Sequence, residues 1–403
     1  MYYNRYKTEP SAPAGRNRER MGTVEYRRLG KTGLTVSEIG FGAEWMERHT
    51  PEECRAVLEA CQEKGINILD CWMSEPNVRS SLGAALKGRR QNWYIQGHIG
   101  ATWQNGQYVR TRALGRVIPA FEDLLARLGT DYIDLGMIHY VDREAEWDEI
   151  AAGPFGDYVR GLKAKGVIRH IGMSTHNPLV AQKAARSGFV EAILFSINPA
   201  FDLLPASEDL EAYYVPEYDP ALGGIAPERA ELYRLCQQLD VGITVMKGFA
   251  GGRLFDAARS PFGAALTPLQ CLHYCLTRPA VASVMVGFDT PAQVEEAARY
   301  HTASPTEKDY ATVLAAAPRH AYSGQCTYCG HCQPCPAGID IAMVNKFYDL
   351  AAVQPQVPAS LKAHYAALPA GAAACTGCGG CETRCPFGVQ VAQKMKEAAR
   401  LFG

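Results

Sequence analysis

Eight of the 14 cysteines lie between Cys326 and Cys385. They fall in two runs, CTYCGHCQPCP starting at Cys326 and CTGCGGCETRCP starting at Cys375. In a reducing compartment so local a cluster binds metal rather than closing disulfides. The CxxCxxCxxxCP spacing of the second run suits iron–sulfur ligation. Three close thiolates wrap three irons of one cubane, and the last cysteine, held by the turn at its proline, reaches the other cubane. On that logic Cys326, Cys329, Cys332 and Cys385 hold one 4Fe-4S cluster, and Cys375, Cys378, Cys381 and Cys335 hold the second. The first run has one residue fewer before its last cysteine, which shortens the turn at Cys335. Structural zinc is the alternative, because CxxC pairs are common zinc ligands. Two runs that each end in Cys-Pro weigh against it.

Something must carry these clusters and use them, and the rest of the chain reads as an enzyme scaffold. From Glu38 onward a short apolar run, a loop and a stretch of helical period recur eight times. The expected strands are Glu38 to Gly42, Ile66 to Asp70, Trp93 to Gly97, Tyr132 to His139, Ile168 to Met173, Ala192 to Ile197, Gly242 to Lys247 and Ala282 to Gly287. Helices are expected to begin near Pro51, Asn77, Arg110, Trp147, Pro178, Pro227, Thr267 and Pro291. Eight βα units match a (β/α)8 barrel. An open doubly wound sheet is the runner-up, and no GxGxxG turn supports it. Val24 to Val36 reads as an N-terminal hairpin that plugs the barrel. The expected division is a flexible arm over 1–20, the barrel over 21–305 and a small α-rich ferredoxin-like domain over 306–403. The long acidic, aromatic segment from Phe201 to Ala226 follows the sixth strand and is expected to act as a lid or specificity loop.

Composition excludes several classes. Lysine and arginine total 41 against 42 acids, a net charge of −1, which gives no general grip on nucleic acid or an anionic membrane. No apolar stretch is long enough to span a bilayer, and the first 20 residues hold no secretory core, so a cytoplasmic location is expected.

The segments YRRLGKTGLTVSEIGFG, GINILD, LGAALKGRR, LARLGTDYIDLGMIH, VIRHIGMSTHN, GITVMKGFAGGRL and ASVMVGFDTPAQVEE resemble, in order, the landmarks of the aldo-keto reductases. With the cysteine domain appended, the whole resembles the bacterial branch that ends in a dicluster ferredoxin domain. That family folds as a (β/α)8 barrel. The resemblance implies reduction of a carbonyl with NAD(P) by an Asp, Tyr, Lys and His tetrad. Asp70 and His139 match the aspartate and the histidine. The tyrosine position falls on Glu75 and the lysine position on His98, so the lysine-activated phenol is absent from its usual place.

Two readings of the altered set follow. In the first, Glu75 or His98 donates the proton, and electrons pass between a small polar carbonyl or hydroxyl substrate and the clusters, with an electron-transfer partner protein beyond them. In the second, Glu75, His98 and His139 perform redox-neutral elimination, isomerisation or hydrolysis, and the clusters are structural. A lesser variant places a divalent metal on His98, His139 and Glu75 or Asp70. Glu75 also has a purely structural alternative, favouring the positive end of the helix starting near Asn77. Trp45, Trp72 and Trp103 follow strands and are expected to wall the pocket.

The resemblance also implies a dinucleotide groove. Ser174, Thr175 and Asn198 stand near the nicotinamide end, and Lys247, Gly248, Gly251, Gly252 and Arg253 match the phosphate-side loop. Gly287, Gln293 and Glu296 match the adenine end. Asp289 occupies the place of a basic residue that would hold a 2′-phosphate, so NAD is favoured over NADP.

Overall fold

The computed structural model describes residues 24–214, 218–219, 221–317, 321–354 and 356–402. The expected arm over 1–20 lies outside them. Strands β1 (Tyr26–Arg28) and β2 (Thr35–Ser37) pair antiparallel as the N-terminal hairpin. Eight parallel strands then close a barrel: β3 (Ile39–Gly42), β4 (Ile68–Cys71), β5 (Tyr94–Ile99), β8 (Ile133–Ile138), β9 (Ile168–Thr175), β10 (Ala192–Ser196), β11 (Gly242–Met246) and β12 (Val281–Val286). The remaining pair, β6 (Ala101–Gln104) and β7 (Gln107–Arg110), forms a separate antiparallel hairpin after β5.

Strand burial explains why these runs read as continuously apolar. Both faces are covered, by side chains filling the barrel and by the surrounding helices. Leu29 and Val36 of the N-terminal hairpin pack with Ile68, Leu135, Leu194 and Met285 inside the barrel, so the hairpin plugs one end. Gly30 permits the close approach, since a Cβ there would lie 2.3 Å from the Gly242 backbone nitrogen.

Helices α1 (Pro51–Glu63), α2 (Pro76–Leu86), α3 (Leu114–Leu128), α4 (Glu144–Ala152), α5 (Pro154–Ala164), α6 (Pro178–Arg186), α7 (Pro227–Leu239), α8 (Pro268–Thr277) and α9 (Pro291–Ala298) surround it. Most open on a proline, whose missing N–H costs nothing in a first turn. Thr50 with Glu53, and Thr267 with Gln270, add reciprocal side-chain caps. Two helix starts are corrected: the helix placed from Arg110 starts at Leu114, because β7 runs through Arg110, and the helix placed from Trp147 starts at Glu144.

Beyond α10 (Tyr310–Ala316) the chain is helical and loop-rich, with α11 (Ile341–Ala352), α12 (Ala359–Ala366), α13 (Gly380–Thr383) and α14 (Val391–Phe402). Tyr348 donates to Glu397 at 2.6 Å and Lys394 pairs with Asp349 at 2.7 Å, joining α11 to α14. No helix among the described residues is long and apolar enough to cross a membrane.

Candidate active site and cluster domain

Asp70 near the end of β4, His98 in β5 and His139 just after β8 come from neighbouring strands and lie together, all buried. Thr244 Oγ1 donates to Gln96 Oε1 at 2.8 Å, which turns the Gln96 amide so that Nε2 donates to Asp70 Oδ1 at 2.7 Å. The same carboxylate oxygen lies 3.0 Å from His98 Nε2, and His98 Nδ1 lies 2.7 Å from His139 Nδ1. Asp70 Oδ1 already accepts from Gln96, so it accepts from His98 Nε2 as well, and the remaining directions follow from donor counting. His98 donates through Nε2 and accepts at Nδ1, and His139 donates through Nδ1 and keeps a lone pair on Nε2. That lone pair faces Tyr108 Oη at 2.6 Å.

Tyr108 was absent from the sequence-based candidates. It rides on β7, opposite Trp103 of β6, behind a turn in which Asn105 and Gly106 both have positive φ, 53° and 77°. An Asn-Gly pair between alternating apolar and β-branched residues is the strongest short-range hairpin signal, and here it was the clue available in the sequence. The hairpin is tied down at its far end. Arg112 donates to the His139 carbonyl at 2.6 Å and the Tyr140 carbonyl at 3.0 Å, and pairs with Glu146 at 3.0 Å. Trp72 stacks over His139 at 5.7 Å and meets Tyr108 edge-on at 5.4 Å.

Burial governs the two groups at the outer end of this chain. Burial, reinforced by His98 and by the Arg112 and Arg110 charges, pushes His139 well below its ordinary value. Burial pushes the Tyr108 phenol up to about 12, with Arg110 and Arg112 opposing.

Glu75 is turned elsewhere. It is the N-cap of α2, its Oε2 accepting from the Val78 backbone nitrogen at 2.7 Å, with Pro76 next in the helix. No hydrogen bond among the described residues joins it to Asp70, His98 or His139. A divalent metal on these residues does not fit either: all four ring nitrogens of His98 and His139 are engaged, and no three of the candidate ligand atoms gather at that point. Of the tryptophans, Trp72 walls the site and Trp103 rides the hairpin. Trp45 packs against Gly287, where a Cβ would lie 2.6 Å from its ring.

The groove residues divide into two groups. Ser174 Oγ accepts from the Tyr140 nitrogen at 2.8 Å and keeps its own proton to donate. Thr175 is spent between Asp142 at 2.9 Å and the Asn177 nitrogen at 3.1 Å. Asn198 is also committed, accepting from Ala200 and Phe201 at 2.9 and 2.8 Å and donating to the Lys247 carbonyl at 2.9 Å. Lys247 itself has φ 60°, and beyond Gly248 the residues Gly251 and Gly252 have φ 64° and 79°. A Cβ on Gly251 would meet nothing within 4 Å, so space beside that backbone is open to a phosphate. Arg253 is buried and donates to the Arg259 carbonyl at 2.7 Å. Gln293 accepts from the Asp289 nitrogen at 2.6 Å, and Glu296 is exposed. The phosphate-side loop thus fits a dinucleotide, while its nicotinamide end retains Ser174 as a side-chain donor.

In the C-terminal unit Cys335, Cys375, Cys378 and Cys381 line one cavity. Arg384, next to Cys385, donates to the Cys332 and Pro334 carbonyls at 2.7 and 2.8 Å, bringing the end of the second run onto the first.

A buried network links the two units. Tyr322 donates to the Pro199 carbonyl, beside the groove, at 2.6 Å, and its hydroxyl lies 3.0 Å from that of Tyr274, which donates to Asp202 at 2.7 Å. The Tyr274 ring meets Tyr310 edge-on at 5.2 Å, and Tyr310 donates at 2.7 Å to the carbonyl of Thr327, between Cys326 and Cys329. Buried Arg278 donates to the same carbonyl. The segment expected as a lid begins at this network: Asp202 accepts from Tyr233 at 2.5 Å, and Tyr213 is buried. Residues 215–217 and 220 of that segment lie outside the described residues.

The model of the aldo/keto reductase family matches residues 38–266. The chain belongs to the aldo/keto reductase family. A 4Fe-4S dicluster domain model matches residues 325–390. An uncharacterized oxidoreductase of Bacillus subtilis, YqkF, is 28% identical over 289 residues, covering 67% of this chain and 89% of that protein. L-glyceraldehyde 3-phosphate reductase of Escherichia coli is 24% identical over 177 residues, 41% of this chain and 50% of its own length. Among solved structures, the holo form of aldo-keto reductase AKR11C1 from Bacillus halodurans superposes with a TM-score of 0.55 at 24% identity, over 71% of this chain and 94% of its own, which establishes the shared barrel. This aldo/keto reductase is therefore an oxidoreductase-type barrel with an iron–sulfur domain attached.

Proposed function

We propose that this aldo/keto reductase oxidises or reduces a small polar hydroxyl or carbonyl compound in the barrel over 21–305 and exchanges the electrons with two 4Fe-4S clusters in the domain over 306–403. The observation that carries this reading is the buried tyrosine ladder from the Pro199 carbonyl, beside the dinucleotide groove, to Thr327 inside the first cysteine run. A structural appendage needs no buried hydroxyl network reaching into the partner unit's site. Cys326, Cys329, Cys332 and Cys385 hold the cluster nearer the barrel, and Cys335, Cys375, Cys378 and Cys381 the other. Cys378 is exposed, so the second cluster offers an exit to an electron-transfer partner protein. Lys247, Gly248, Gly251 and Gly252 would hold the phosphates of a dinucleotide and Ser174 its carboxamide, with NAD favoured. Such a cofactor supplies hydride transfer. Asp70, His98 and His139 hold and move the proton, and Glu75 caps α2.

Commitment of Thr175 and Asn198 within the protein favours a second reading, redox-neutral acid–base chemistry on the same histidines. An anaerobic titration of the cluster-loaded protein with NADH and then NADPH, following nicotinamide fluorescence and cluster absorbance together, decides between them. Binding with bleaching is the expected result. Absence of both, with clusters still reducible by dithionite, removes the redox reading.

A further inference from the structure

We propose that Tyr108 is the catalytic phenol of this barrel, exchanging a proton directly with the oxygen of the substrate, while His139, His98 and Asp70 relay that proton to and from the interior. This rests on the carbonyl or hydroxyl chemistry proposed above. The place from which a phenol would be expected, beyond β4, holds Glu75, and that carboxylate caps its own helix. Tyr108 reaches the histidines from a different element, the β6–β7 hairpin.

Within the relay, Asp70, His98 and His139 are buried with their polar atoms turned to one another, whereas Tyr108 is only partly buried. The phenol is thus the member of the chain open to a bound substrate. Its other neighbour, Trp72, meets the Tyr108 ring edge-on at 5.4 Å. Burial keeps Tyr108 protonated and His139 unprotonated at Nε2, so each group starts in the state the transfer needs.

The step balances as follows for alcohol oxidation. The substrate O–H bond breaks and its proton joins Tyr108 Oη. The proton already on Tyr108 passes to His139 Nε2, that on His139 Nδ1 passes to His98 Nδ1, and that on His98 Nε2 passes to Asp70 Oδ1. One O–H bond is lost at the substrate and one is gained at Asp70. The electron pair of the substrate C–H bond leaves as hydride to an oxidant of the nicotinamide class. Carbonyl reduction is the same sequence reversed.

Tyr108→Phe in the full-length, cluster-loaded protein tests the proposal, since phenylalanine keeps the ring against Trp72. Two readouts are taken: NADH-dependent reduction of methylglyoxal and glyceraldehyde, and the downfield proton resonances of the histidine ring N–H groups without substrate. The expected results are a ~10²- to 10⁴-fold loss of turnover, unchanged cluster absorbance, and displaced ring N–H signals as His139 Nε2 loses its donor. Wild-type turnover in the variant overturns the proposal. If the wild-type protein reduces neither probe, the NADH titration described above decides the oxidoreductase reading and the N–H signals decide the relay: displacement upholds its ending on Tyr108, and an unchanged spectrum overturns it.

Discussion

Replacing Glu75 by glutamine and by alanine separates a proton donor from a helix cap, because the two roles predict effects on different measurements. The Glu75 Oε2 to Val78 N bond of 2.7 Å is a side-chain N-cap. Losing such a cap costs about 1 kcal/mol, within a range of roughly 0.5–2. In a large domain that lowers the melting temperature by about 2–4 °C. Glutamine keeps an acceptor oxygen and loses only the carboxylate's interaction with the helix dipole, about 0.3–1 kcal/mol. A catalytic carboxylate is a different matter. Its loss costs ~10²–10⁴-fold in rate, or roughly 3–5 kcal/mol of barrier at ~1.4 kcal/mol per factor of ten. The structure therefore predicts that Glu75→Gln retains turnover within a few-fold and melts near the parent, and that Glu75→Ala melts lower. Thermal melts and the NADH-coupled carbonyl assay are run on the same preparations. A Glu75→Gln protein that melts normally and has lost a hundredfold or more in turnover would falsify the assignment and return the carboxylate to the chemistry.

Two further outcomes are expected. His139 is held well below its ordinary value and His273 is pulled down to about 4, both chiefly by burial. The unfolded chain therefore binds more protons than the folded one below pH 6.5, and stability falls as pH drops from 6.5 toward 4, by about 1.4 kcal/mol per pH unit for each histidine. A urea midpoint that does not fall between pH 7.5 and pH 5.5 would contradict this. Arg278 places a buried guanidinium on the Thr327 carbonyl, between two of the proposed cluster cysteines, where it would offset charge gained on reduction of a bound cluster. Arg278→Gln should disfavour reduction of that cluster on the order of tenfold, ~59 mV for one electron. A redox titration followed by electron paramagnetic resonance checks it, and an equal shift in both clusters would count against the pairing of Arg278 with the first run.

The barrel was legible because each βα unit announces itself locally, by an apolar run and then by a proline or a threonine cap such as Thr50 or Thr267. Cysteine spacing was equally local. What escaped were contacts between residues distant in sequence. The Asn105-Gly106 pair signals the hairpin, but no local pattern signals that Tyr108 meets His139, 31 residues on. Glu75 carried two readings in the sequence, a replacement donor by its place in the tetrad and a group favouring the helix end, and the contact to the Val78 nitrogen that favours the second appears only in the fold. The pairing of Tyr274 and Tyr322 with Asp202 and Pro199 has no sequence pattern at all, since it exists only once the two units dock.

Placing the phenol on a hairpin makes its aim a question of parity. Tyr108 pairs with Trp103 across a two-residue turn, and side chains along β7 alternate between faces. Inserting or deleting one residue between Gly106 and Tyr108 would swing the hydroxyl to the opposite face and leave the His139 Nε2 lone pair without its donor. A change of two would restore the direction and alter only the reach. Lengthening in such steps would let the pocket grow or shrink while the proton's point of entry keeps its bearing.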